Sequence, residues 1–230
     1  MKDIIKYFKF IKFGLQLKLM CILGIGFFAL GILFEVTDHG TSNLGALYIA
    51  ISGLYVFQLV FSPSIAKLVQ VSPYKKKIQT KGTALISLIF SLFTYTVIVA
   101  IRLIKGDPAW LEDQQIDTAE FYSVLLYSAL ILFILLIYMA ISFKIYIVSL
   151  IICIAGVLGF MFVANTAGRN PFVMITEKLM DGNNPALLIV VCYAIILLGG
   201  LLCYVGNCLL FRREISQLAI RNALRQAQAK

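Results

Sequence analysis

Charge is scarce in this sequence. Asp, Glu, Lys and Arg make up 13% of its 230 residues, about half the share of a soluble domain, while 61% are hydrophobic and the mean hydropathy is +0.94. The composition is that of an integral membrane protein. Histidine is almost missing: the single one, His39, sits in the short loop "TDHGTSN", so no second imidazole exists for a paired metal site. The chain has no H-E-x-x-H zinc signature, no G-x-S-x-G nucleophile elbow and no G-x-x-x-x-G-K-[ST] phosphate loop. Any uphill transport therefore needs a nucleotide hydrolysed by another chain. Serines such as Ser87, Ser91, Ser128 and Ser149 lie in apolar runs without a charged or histidine partner nearby in sequence, which makes a membrane-embedded hydrolase the weakest reading. The five cysteines also lie in apolar runs and read as small hydrophobes, not as disulfides or metal ligands. No cofactor or metal is expected in this chain, and no small-x-small cleavage site follows the first apolar run to mark a signal peptide.

Against that background six apolar runs stand out, at 19–35, 44–61, 83–104, 121–142, 145–164 and 186–211. Each is near the ~20 residues a span requires. The expected fold is therefore an all-α integral membrane protein, a single domain with six transmembrane helices. Charge sets the orientation. With the N-terminus in the cytoplasm, sixteen of the twenty basic residues fall on the inner side, leaving only Arg102, Lys105, Arg169 and Lys178 outside. Positive residues near span ends stay inside, so both termini are expected in the cytoplasm of a multi-pass cell (plasma) membrane protein. The net charge of +9 is explained by this distribution, which sets nucleic acid aside as a partner. Glu35, Arg102 and Lys144 are placed at span ends, with no ionisable side chain at membrane depth, which weakens an ion-coupled carrier. Gln58 and Asn207 are expected to make interhelical hydrogen bonds. The small-xxx-small pairs Ala155–Gly159 and Gly199–Cys203 are expected to pack helix on helix.

Three segments outside the spans carry helical signals. In "MKDIIKYFKFIKFG", residues 1–14, Lys6, Lys9 and Lys12 continue a stripe begun by Lys2. Phe8 and Phe10 lie on the remaining apolar surface, as in an interfacial helix. In the loop 62–82, Ser62-Pro63 and Ser72-Pro73 are two helix-start pairs, and Ile65, Leu68 and Val69 share one face between them, so a short helix, a break near Ser72 and a second basic helix feeding the third span are expected. Its lysines, including Lys67, are what topology needs; the apolar stripe is not. On the outer side, residues 165–185 contain a start at Asn170-Pro171 and a stop at Asp181-Gly182. Between them Phe172, Val173, Ile175 and Leu179 form the apolar side of a short amphipathic helix. Residues 212–230 read as a basic, helix-prone cytoplasmic tail.

Together, "KDIIKYFKFIKFG" before the first span, "SPSIAKLVQVSPYKKKIQTKG" between the second and third, and "NPFVMITEKLM" before the sixth resemble the permease subunits of type-two ABC exporters. The resemblance implies that residues 1–14 are an elbow helix. It implies that Ile65, Lys67, Leu68, Val69, Val71, Ser72, Pro73 and Tyr74 belong to a coupling helix docking on an ATPase subunit, and that the helix with Phe172 helps close the exit. It further implies a non-catalytic chain that pairs with a second permease chain, the same or related, around a shared path. ATP and Mg would be bound by the separate cytoplasmic ATPase. The absence of a large outer domain resembles small exporters of peptides, lantibiotics or other antimicrobials. The competing expectation is a membrane-embedded immunity or partner-binding protein without transport activity.

Overall fold

In lipid a segment must satisfy its backbone polar groups internally, which an apolar run of this length does by forming a helix. The computed structural model describes residues 17–37, 43–65, 75–113, 115–142, 144–164, 170–180, 184–218 and 220–221. Its helices are α1 (Leu17–Thr37), α2 (Leu44–Ile65), α3 (Lys75–Lys105), α4 (Pro108–Asp113), α5 (Thr118–Ser142), α6 (Tyr146–Ala164), α7 (Pro171–Leu179) and α8 (Ala186–Leu210). Five of them, α1, α3, α5, α6 and α8, are long and apolar enough to cross a membrane. The remaining expected span, 44–61, falls on α2, whose apolar part among the described side chains is the shorter stretch Leu44–Leu59.

Two boundaries bear on the sequence reading of residues 62–82. First, α2 runs through Ser62 and Pro63 to Ile65, so this Ser-Pro pair lies inside one helix and does not open another. Pro63 has no N–H and so removes a single ladder bond, the one to the Leu59 carbonyl. Second, the basic helix expected after Ser72-Pro73 is described from Lys75 and runs without a break into the expected third span as α3, its segment Ile78–Gly82 being a π-helical turn. The Thr83 hydroxyl donates to the Ile78 carbonyl five residues back at 3.1 Å, and the Thr80 hydroxyl donates to the Lys76 carbonyl at 2.7 Å.

At the centre lies α5, apolar all round and buried along most of its length, as a helix without a polar face must be. Helices α2, α3, α6, α7 and α8 pack against it, while α1 packs mainly along α2. Close approach of α8 to α5 depends on Gly199, where an added Cβ would stand 2.9 Å from Phe133 Cδ2. Thr96 and Tyr193 share a hydrogen bond of 2.8 Å that joins α3 to α8. The expected Ala155–Gly159 contact is not made among the described residues, where nothing lies against Gly159 and it is Gly156 that meets Ile134 of α5. One residue along a helix turns the face by ~100°, so the neighbouring small residue took the packing position. Asn207 also departs from expectation, donating to Cys203 Sγ one turn earlier in its own helix at 3.5 Å.

Candidate functional site

The segments that the sequence marks most strongly are only partly in view. Lys6, Phe8, Lys9, Phe10 and Lys12 of the elbow, and Lys67, Leu68, Val69, Val71, Ser72, Pro73 and Tyr74 of the coupling segment, lie outside the described residues, as does His39. Of the coupling residues only Ile65 is placed, at the last position of α2.

Helix α7, expected on the outer side, is fully placed. Asn170 is its N-cap: the side-chain oxygen accepts from the Phe172 N–H at 3.0 Å, and Pro171 takes the first helical position, where no N–H is required. The same side chain reaches back, Nδ2 donating to the Ala164 carbonyl at the end of α6 at 3.1 Å. Phe172 is buried with its ring edge-on to both Tyr127 of α5 and Phe160 of α6. Of the other three residues assigned to this helix, Val173 and Leu179 are half-buried, while Ile175 is exposed. Replacing Asn170 by alanine is expected to cost α7 about 1 kcal/mol. Amide exchange across 171–179 would then run roughly fivefold faster with α5 unchanged, and equal exchange in both would show that the cap is not what holds the helix.

A second cluster joins the ends of three long helices beside α4, and its burial was not foreseen. Glu35, in the last turn of α1, and Arg102, in the last turn of α3, form an ion pair with exposures of 2% and 1%. Burial this complete means that water solvates neither charge, so each depends on its partner. The guanidinium also donates from Nη1 to the Phe121 carbonyl of α5 at 3.3 Å and lies 4.7 Å from the centre of the Phe121 ring. Lys105 Nζ donates to the carbonyls of Glu35 (3.0 Å) and Val36 (2.9 Å), placing a cation at the negative end of α1, and lies 5.9 Å from the Trp110 ring. The carboxylate fits because residue 45, at the start of α2, is glycine; a Cβ there would lie 2.5 Å from Glu35 Oε2. Chemically this is a clamp. It fixes α1, α3 and α5 to one another at one end of the bundle.

A signal for the pair was available. In the expected topology the first and third spans both end on the outer side, which brings two opposite charges to one level. What the sequence did not show was the cover over them.

At the opposite end, α3 begins in the π-helical turn, which packs against α8. Gln79 within it is buried, and neither atom of its amide has a hydrogen-bond partner among the described residues. Single π turns inside α-helices are frequent at functional positions. Ser128 and Ser149, two of the serines weighed above, donate to carbonyls of their own helices at 2.5 and 2.7 Å. Between α1, α2 and α3 an apolar groove of about 240 Å³ is lined by residues such as Cys21, Phe28, Val56, Leu59 and Phe93.

Comparison of the chain with protein-family models, with curated proteins and with solved structures gives no match. Function must therefore be argued from the residues.

Proposed function

We propose that the chain is the non-catalytic permease subunit of an ATP-driven exporter of the type-two ABC class. With a second permease chain it forms the path for an amphipathic or hydrophobic substrate such as a peptide, an antimicrobial or a lipid-like molecule. Energy comes from a separate cytoplasmic ATPase that binds ATP and Mg, reached through the segment between the second and third spans. The observation that carries the reading is α7: a capped amphipathic helix, pinned by Phe172 against α5 and α6, immediately before the last span. The apolar groove between α1, α2 and α3 supports the substrate class, because its wall offers almost no polar partner.

The test is co-purification with candidate ATPases encoded beside the chain, followed by transport into vesicles with and without nucleotide. An ATPase that binds and is stimulated supports the proposal. Transport in neither condition, with no ATPase bound, favours the immunity or partner-binding alternative. Leu68→Asp or Val69→Asp places a charge on the apolar stripe, at a cost well above the 1.4 kcal/mol that corresponds to roughly tenfold in coupling. Transport is expected to fall by at least that factor while insertion and basal ATP hydrolysis persist; normal transport would remove the coupling role from this segment.

A further inference from the structure

The end of the bundle opposite α4 and α7 holds a cavity of about 480 Å³. Three separate parts of the chain bring cations to it: Lys75 from the start of α3, Lys144 from the link between α5 and α6, and Arg212 and Arg213 from the turn after α8. One acid, Glu214, is among the lining residues. The apolar side is formed by Phe211, Ile215 and Ile220.

Lys144 is built into this arrangement. Its ammonium donates to the Phe211 carbonyl at 3.5 Å and to the Arg213 carbonyl, and it lies 5.9 Å from the Phe211 ring. These carbonyls follow the C-terminus of α8, where a cation is favoured. Burial, and after it the charge of Lys75, hold the Lys144 ammonium below its ordinary lysine range. Excess positive charge gathered in a half-buried cavity is stabilised by an anion. Basic pockets between helix ends, at the level where spans stop, are where phosphate-bearing headgroups meet a membrane protein. The volume suits one such group, and the apolar side suits the start of its acyl chains.

We propose that this cavity binds a phosphate-bearing anion, and that the anion is the headgroup of an acidic phospholipid. The inference does not depend on the transport reading.

The test uses the full chain, purified in detergent and stripped of lipid, titrated with fluorescent phosphatidylglycerol against unlabelled phosphatidylglycerol, phosphatidylcholine and inorganic phosphate. Phosphatidylglycerol should compete at least roughly tenfold better than phosphatidylcholine, and each removed charge should weaken it about fivefold. Arg213→Gln alters an exposed side chain and leaves the packing alone; Lys144→Gln probes the inner wall, and Lys144→Arg should restore binding. Equal competition by the two lipids, or unchanged binding in both glutamine variants, would overturn the site. Displacement by inorganic phosphate at millimolar concentration would overturn the lipid as the source and assign the cavity to a soluble phosphate.

Discussion

Arg102→Gln is expected to destabilise the protein by about 3–5 kcal/mol, the cost of stranding one member of a buried ion pair. The guanidinium touches three elements at once: the Glu35 carboxylate of α1, a carbonyl of α5 and the face of the Phe121 ring. Glutamine is shorter, carries no charge and cannot reach all three. Glu35 Oε2 already has no hydrogen-bond partner among the described residues. Loss of Arg102 would therefore leave the carboxylate buried without its ion-pair partner, while Lys105 is engaged with the backbone carbonyls of Glu35 and Val36. Unfolding in mixed detergent micelles measures the effect. The double variant Glu35→Gln with Arg102→Gln should regain most of the loss, because the stranded charge is gone. A single variant within about 1 kcal/mol of the parent would show that the pair is not the clamp described.

Gly45→Val is expected to cost about 3 kcal/mol or more, at the upper end for overpacking. A Cβ at residue 45 would lie 2.6 Å from the Glu35 backbone N and 2.8 Å from its Cα. The reciprocal contact is as close: a Cβ on Gly31 would meet the Ile49 N at 2.7 Å and the Gly45 carbonyl at 2.9 Å. Backbone atoms cannot step aside as a side-chain tip can, so α1 and α2 would have to separate. That separation would draw Glu35 away from Arg102. The variant should therefore be nearly non-additive with Arg102→Gln, and strict additivity would mean that the two sites do not communicate.

The long helices were legible because lipid leaves an apolar run of this length one conformation, and five of the six expected spans fall on helices long and apolar enough to cross a membrane. The basic helix expected after Ser72-Pro73 is helical from Lys75 onward; what the sequence did not show is its packing against α8 and its π-helical turn. The buried pair was half legible: Glu35 and Arg102 could be placed at one level by topology, but a charge near a span end normally reaches solvent. Here Phe121 and the close approach of Gly45 cover it, and that cover comes from residues distant in sequence. Gly156, and not the adjacent Ala155, faces α5 for a similar reason, since spacing alone does not say which of two adjacent small residues meets the neighbour. The basic residues around Lys144 were read only as topological anchors. Their convergence on one cavity depends on three chain segments that share no motif.

The clamp also has a schedule. Glu35 and Arg102 are 67 residues apart, and chains are made at roughly 5–20 residues per second, so Glu35 waits roughly 3–13 s for its partner. Over that interval α1 and α2 can close on each other through Gly31 and Gly45, but the carboxylate stays uncompensated until α3 has been delivered. The first three helices are thus expected to settle as one unit during synthesis. An interruption placed after α2 and before Arg102 is where a nascent chain would be most exposed to quality control.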